Sequence, residues 1–286
     1  GYLNKPDATV LMAPGALLAP VTEELLYRGL MFRALENEAG TRTGTDTEFL
    51  HDFRVAVRRT RSALGQLKTV LPPATLERFR REFAWLGTIT SPTRDLDVYL
   101  LKFGNYQQQL PEEMRADLEP LREFLIRHQR EEQALLAREL TGARYRKLKR
   151  GWRRYLESAL PQRPGARDAR KPILEVARQR TWRMYRRVRR EGRAITPDSP
   201  AAGLHELRKC CKKLRYLMEF FANFFTSKKI NALIAQLKSL QDNLGDFNDL
   251  CVQQEYLLNI ATELPDDRQQ LQKALVAIGS LVEALN

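Results

Sequence analysis

The stretch His51-Asp-Phe-Arg-Val-Ala-Val-Arg-Arg-Thr-Arg61 returns later in the chain as His205-Glu-Leu-Arg-Lys-Cys-Cys-Lys-Lys-Leu-Arg215. Corresponding positions in the two copies are 154 residues apart. The same shift carries Asp95-Leu96 onto Asp249-Leu250. A block that returns at constant spacing indicates a duplicated unit, and such a repeat constrains the architecture before any single motif is considered. We therefore expect two half-molecules that each contain the same basic helix.

Apolar residues recur at spacings of three and four along most of the chain, which is the period of an amphipathic helix. The period-two alternation and the Asn-Gly turns typical of β-hairpins are missing. The sequence therefore predicts an all-α protein, with breaks at stretches rich in glycine or proline such as 40–44 and 104–111. Helices are expected near residues 20–38, 47–71, 74–87, 93–103, 112–140, 143–160, 168–191, 202–225, 228–243, 246–263 and 266–284.

Helices joined by short polar loops pack as antiparallel neighbours. Together with the duplication, this predicts two up-and-down helical bundles related by an internal pseudo-twofold, the first at about residues 20–140 and the second at about 143–286. Residues 1–19 are interpreted as a cloning remnant or an ordered lead-in. The apolar run at 10–21 is broken by prolines and is shorter than the roughly 20 residues that cross a bilayer. No membrane partner is expected.

The charge of the chain is strongly positive and unevenly distributed. Its 286 residues include 48 Lys and Arg against 35 Asp and Glu, a net charge of +13. Residues 144–193 alone contain 19 basic and 4 acidic residues. Such a strip indicates a polyanionic partner, whether nucleic acid, an acidic membrane face or a phosphate polymer. The three cysteines form an odd set, which favours reduced thiols in a cytoplasmic protein.

The repeated helix carries its cations on one narrow stripe when residues are placed at steps of about 100°. Successive cations rise by about 4.5 to 6 Å, a ladder that suits a linear polymer of phosphates. A histidine beside phosphate is expected to be protonated. A basic stripe on a single helix is usually a solvated face, but two copies that both keep the histidine favour a binding site. The stripe holds His51, Arg54, Arg58 and Arg61 in the first copy, with Arg59 to one side, and His205, Arg208, Lys212 and Arg215 in the second, with Lys213 to one side.

Aromatic side chains alternate with the arginines of the basic strip at Trp152, Tyr155, Trp182 and Tyr185. Such aromatics can stack nucleic-acid bases. Their helical spacing favours burial instead, with the arginines turned outward. In that arrangement Arg183, Arg186, Arg187 and Arg190 would line the same cationic surface as the repeated helices.

Carboxylates at Asp95, Asp97 and Asp249 are the candidates for chemistry, because paired carboxylates could bind Mg²⁺ for phosphoryl transfer. A structural role is favoured, since aspartates in the first turn of a helix offset its dipole and hold arginines in place. Cys251 also replaces the equivalent of Asp97 in the second copy. Arginines around the two motif histidines would repel a metal cation. We therefore predict no catalytic residue, no metal and no cofactor.

The two histidine helices, together with Arg94-Asp95-Leu-Asp97-Val98 between them, closely resemble the CHAD family, the conserved histidine α-helical domain. The resemblance extends from about Pro20 to Asn286. It implies two helical bundles with internal pseudo-symmetry that bind inorganic polyphosphate non-catalytically along a basic surface. The contacts implied by the family pattern are His51, Arg54, Arg58, Arg59, Arg61, His205, Arg208, Lys212, Lys213 and Arg215, to which the strip adds Arg183 and Arg187.

The sequence thus predicts a non-enzymatic polyphosphate-binding protein in the cytoplasm, associated with polyphosphate granules. Two alternatives stay open. The first is an RNA- or DNA-binding helical module; if polyphosphate is the ligand, nucleic acid would be only a weaker competitor. The second is a metal-dependent phosphohydrolase that uses Asp95, Asp97 and Asp249.

Overall fold

The computed structural model describes residues 32–66, 72–157, 171–222, 225, 228–244, 273–274 and 276–280. In this part of the chain every regular element longer than one residue is a helix, as the sequence predicts. The predicted lead-in at 1–19 and the predicted helix at 246–263 lie outside the described residues. Asp249 and Cys251 lie outside them as well.

The connections that the structure describes in full, such as those at 44–46 and at Thr90, are short. Thr47–Gln66 and Ala201–Phe220, which contain the two copies of the repeat, both have 20 residues. Their bounds differ by the same 154 positions as the sequence motifs. In chain order the elements are α1 (Phe32–Thr43), α2 (Thr47–Gln66), α3 (Pro73–Ile89), α4 (Ser91–Gln108), a 3₁₀ helix (Glu112–Leu118), α5 (Glu119–Thr141), α6 (Ala143–Glu157), α7 (Ile173–Arg193), α8 (Ala201–Phe220) and α9 (228–244).

Two of the predicted breaks begin later than expected, although a break lies within each predicted stretch. Helix α1 continues through Gly40 to Thr43, and the turn is made by Gly44, whose φ of 66° suits a residue without Cβ. Gly40 instead lets the ring of Phe49 pack against the backbone of α1. Helix α4 continues through Gly104, where nothing lies within 4 Å of the place that a Cβ atom would take, and a glycine there costs only about 1 kcal/mol. Flanking core residues outweigh that cost.

The largest hydrophobic cluster joins α2 and α3 to α5, α6, α7 and α8. Trp152 of α6 lies at its centre, edge-on to Phe79 at 4.6 Å and to Phe83 at 5.1 Å between ring centroids. The cluster therefore crosses the predicted boundary near residue 140. The division into bundles at 20–140 and 143–286 and their pseudo-twofold stay predictions.

Two smaller clusters complete the core of the described part. One packs α4, the 3₁₀ helix and α5 around Phe103 and Leu121, together with Ala277 and Ile278 from near the end of the chain. The other packs Met184 and Val188 of α7 against a cluster that includes Leu214 of α8. Through these contacts α2, α4, α7 and α8 are held in fixed positions, and the predicted binding residues all lie on α2, α7 and α8.

Candidate functional site

The two basic helices pack against each other, and they meet at Tyr216. The guanidinium carbon of Arg58, from the first copy of the repeat, lies 5.7 Å from the centre of the Tyr216 ring. That of Arg215, from the second copy, lies 4.8 Å from the same ring. Both distances are within the range of a cation–π interaction. The structure therefore brings one predicted contact from each copy together around a single aromatic side chain.

Arg54 is anchored where α3 passes into α4. Its Nη1 donates hydrogen bonds to Thr90 Oγ1 at 2.9 Å and to Ser91 Oγ at 3.1 Å, and approaches the carbonyl oxygen of Gly87 at 3.5 Å. Burial lowers the pKa of Arg54 below its usual range, while the carboxylate of Asp95 acts in the opposite direction. The guanidinium is thus a partly desolvated charge in a fixed position.

The charges of three other arginines act on Arg54 at this place, and we name the four together the arginine cluster: Arg54, Arg58, Arg61 and Arg94. The charges of the last three each lower the pKa of Arg54. Asp95 is the acid that opposes them: burial raises the pKa of its carboxyl group, and Arg54 and Arg94 lower it. Mutual repulsion between cations beside one acid favours an added anion.

Arg61 completes the cluster on the side of α3. A Cβ atom at Gly87 would lie 2.7 Å from Nη1 of Arg61, which is closer than such contacts occur in proteins. The absence of a side chain at Gly87 therefore leaves space for the Arg61 guanidinium beside the residue whose carbonyl Arg54 approaches.

Arg94 is a member that the sequence prediction omitted from the site. Its Nη2 lies 3.1 Å from Nδ1 of His51, and its Nη1 donates to the carbonyl oxygen of Thr47 at 3.3 Å. A guanidinium has only donors, so Nδ1 of His51 must accept and the ring proton lies on Nε2. The prediction of a protonated histidine applies to a ring beside bound phosphate, and it stays a prediction.

In the second copy of the repeat, the last cation of the stripe is paired within the fold. Arg215 donates to Glu219 Oε1 at 2.8 Å and to Gln241 Oε1 at 3.0 Å. His205, Arg208 and Lys212 are partly exposed on α8, and Lys213 is exposed. The predicted stripe of α8 is thus present on the helix, but the carboxylate of Glu219 offsets its last cation.

Arg59 lies away from the cluster, as its position beside the stripe predicts. It lines a cavity of about 490 Å³ between α2, the end of α8 and α9. The cavity is also lined by Tyr216 and Glu219, so it adjoins the ring on which Arg58 and Arg215 meet.

The strip on α7 differs from its prediction in one respect. Trp152 is buried as predicted, but Trp182 is 59% exposed and Tyr185 is 39% exposed, so the predicted burial of those two is wrong. The inward face of α7 is made by Met184 and Val188 instead. Helical spacing identifies an apolar stripe, but it does not say which of two stripes faces the core.

Arg183 and Arg187 are exposed on α7. Nε of Arg187 lies 3.8 Å from a carboxylate oxygen of Glu191. Helix α7 packs on α8, which places both arginines on an element next to the second copy. Their participation in binding stays a prediction.

The carboxylates proposed for chemistry face different ways. Asp95 and Asp97 are separated by about 200° around α4. Asp95 lies beside the arginines, whereas Asp97 is buried and accepts a hydrogen bond from Gln129 Nε2 at 2.9 Å. In the described residues, no group of three or more His, Cys, Asp or Glu side chains could hold a metal ion.

Asp97 provides a test of this burial. Burial raises the pKa of its carboxyl group, and the Gln129 hydrogen bond only partly opposes this. The folded chain then holds the proton more tightly than the unfolded chain, so ionisation of Asp97 reduces stability above its folded pKa, and this loss disappears as the pH falls. Asp97→Asn keeps an acceptor for Gln129 and should raise the Tm at pH 7 by a few degrees, since about 1 kcal/mol shifts Tm by about 2–4 °C.

The measurement is thermal unfolding of both proteins between neutral pH and about pH 4, where the difference in Tm should shrink. The exposed Asp198→Asn is the control, and it should leave the Tm unchanged. A lower Tm for Asp97→Asn at pH 7 would show that the Asp97 charge stabilises the fold.

The described residues define an all-helical protein in which a cluster of arginines adjoins two paired basic helices. A family model described as the CHAD domain matches residues 29–258, and the chain therefore belongs to the CHAD family. This confirms the membership predicted from the motifs.

The solved structures that resemble this chain include the following two. The first is the crystal structure of the CHAD domain from the plant Ricinus communis, with 26% sequence identity and a TM-score of 0.76 over 94% of this chain and 87% of that one. The second is PptA from Streptomyces chartreusis, with 16% identity and a TM-score of 0.62 over 92% of this chain and 98% of that one. No curated protein matches the sequence. No helix in the described part of the chain is long and apolar enough to cross a membrane.

Proposed function

We propose that this protein binds inorganic polyphosphate without converting it, through the arginine cluster and the adjoining basic face of α8. The observation that carries the proposal is that Arg58, Arg61 and Arg94 all lie near enough to act on the charge of Arg54, which stands beside the carboxylate of Asp95. The repulsion that acts on Arg54 would be relieved by phosphate oxygens, whose geometry matches the donors of guanidinium groups.

A polymer suits this surface better than a single phosphate. The cluster takes residues from two helices, and Arg58 lies next to Arg215 of a third through Tyr216. One phosphate needs only a helix N-terminus or a small nest of backbone amides. Several cations along neighbouring helices can neutralise successive charges of one chain, and the release of its counterions then drives binding.

The hydrogen bond between His51 and Arg94 also supports this function. Because Nδ1 accepts from Arg94, the proton on Nε2 is the donor that the ring can direct at a phosphate oxygen. Membership in a family that is linked to polyphosphate supports the ligand class. The predicted absence of catalysis is part of this proposal.

A calorimetric titration tests the proposal. Long-chain polyphosphate, an RNA of equal phosphate number and triphosphate are compared at about 150 mM salt. We expect polyphosphate to bind tightest, RNA to bind more weakly and triphosphate weakest, because only the long chains span the whole surface. Free orthophosphate, assayed with Mg²⁺ present, should not increase. Equal affinity for triphosphate and polyphosphate would contradict an extended site, and phosphate release would contradict a purely binding role.

A further inference from the structure

The outer face of α7 is a surface that the proposed polyphosphate site does not use. Its residues span about 140° of the helix when placed at steps of about 100°. The opposite side of the helix, with Met184 and Val188, packs toward α8. We name this surface the α7 outer face; it consists of Trp182, Tyr185, Arg186, Arg189, Arg190 and Arg193.

Two aromatic rings are exposed side by side on this face. Trp182 is 59% exposed, and its ring centroid lies 5.5 Å from that of Tyr185 with an angle of 31° between the planes. Trp is highly buried on average, so an exposed indole beside a second exposed ring is the informative kind of surface residue. Both rings stay exposed although α7 packs on α8 through Met184 and Val188, so that contact does not account for their exposed area.

Arginines on the same face form a concave patch beside the rings. Four of them line a shallow cavity of about 290 Å³: Arg186, Arg189, Arg190 and Arg193. The guanidinium carbon of Arg189 lies 5.7 Å from the centre of the Tyr185 ring. Arg190 donates to Glu191 Oε1 at 2.9 Å. The face thus combines a strong positive charge with flat apolar surfaces.

We propose that the α7 outer face binds single-stranded nucleic acid, with bases stacked on Trp182 and Tyr185 and phosphates held by the arginines. A phosphate polymer would use the arginines but has no flat group for the rings. A strand with bases uses both, and base-on-aromatic stacking together with a basic groove is how single strands are bound without sequence preference. The surface is separate from the arginine cluster, so this proposal does not depend on the polyphosphate site.

The test measures fluorescence anisotropy of a labelled oligouridylate of about 12 nucleotides. Trp182→Ala should weaken its binding about fivefold or more, as loss of one stacked base does. Trp182→Phe should retain most of the affinity because a ring remains. Long-chain polyphosphate should bind both variants as it binds the parent protein. Leu101→Ala is the matched control, because Leu101 is 62% exposed on α4 and its removal also deletes an exposed apolar side chain.

Several results would overturn the proposal. An equal loss of affinity for polyphosphate would show that Trp182 supports the charge of the surface rather than a base. The same loss for an abasic oligonucleotide would exclude stacking. Unchanged oligouridylate binding by Trp182→Ala would also overturn the proposal. In that case, loss of vesicle binding in the variant would identify an anionic lipid surface as the occupant, and loss of a dimer would identify a second copy of the chain. Equal Tm values for variant and parent show that the fold is intact.

Discussion

Replacing Arg58 and Lys212 together by alanine is expected to lower the affinity for long-chain polyphosphate about thirtyfold or more. Each substitution removes one charge-assisted contact with phosphate, worth about 1 kcal/mol or more, and tenfold in affinity corresponds to about 1.4 kcal/mol. Arg58 is exposed at the place where α2 meets α8, and Lys212 is partly exposed on α8. One residue from each copy of the repeat is thereby removed.

Calorimetric titration at several salt concentrations measures this effect. The slope of log affinity against log salt should become shallower by about two, because two fewer counterions are displaced. The Tm should change by only a few degrees, since neither side chain belongs to the hydrophobic clusters.

A matched control distinguishes the loss of a specific binding site from a loss of net positive charge. The double variant Arg81→Ala and Arg122→Ala also removes two positive charges, one from α3 and one from α5, and both residues are exposed on the surface. This control should lower affinity severalfold less than the Arg58 and Lys212 variant. Equal losses in the two double variants would show that polyphosphate responds to net charge and not to the paired basic helices.

A single sequence predicts those parts of this structure that follow from a regular spacing of residues along the chain. Apolar spacing predicted the helices of the described part, and the two copies of the motif correspond to helices whose bounds are also 154 residues apart. The stripe of cations on α2 could be placed in the same way, because angles around a helix follow from residue number alone. The prediction of Trp152 as a core residue is confirmed for the same reason.

The other features of the site depend on contacts between residues far apart in the sequence, which no regular spacing indicates. Arg94 and His51 are hydrogen-bonded although 43 positions separate them, and only the approach of α4 to α2 brings them together. The Arg-Asp pair in the motif was the available signal, but it indicated a structural role for Asp95 and no partner for Arg94. The prediction for Trp182 was wrong for a related reason: α7 has apolar residues on two sides, and the choice of the inward side belongs to α8.

The aromatic centre of the core provides the prediction with the largest expected effect on stability. Trp152→Ala should lower the free energy of unfolding by about 3–5 kcal/mol, because truncation of a large buried aromatic loses its transfer energy and leaves a cavity. Trp152 is 2% exposed and packs against Phe79, Phe83 and Tyr155. The corresponding decrease in Tm is about 10 °C.

Urea unfolding followed by circular dichroism and by tryptophan fluorescence measures this loss and also tests the predicted boundary near residue 140. Trp152 belongs to α6, whereas Phe79 and Phe83 belong to α3, so the cluster couples the segments assigned to the two predicted bundles. Both signals should therefore shift together in one transition. Trp182→Ala, which removes an exposed indole, is the control and should unfold like the parent protein. If only part of the helical signal of Trp152→Ala were lost at low urea, the two segments would unfold independently. A cavity in a shared core would instead destabilise both segments together.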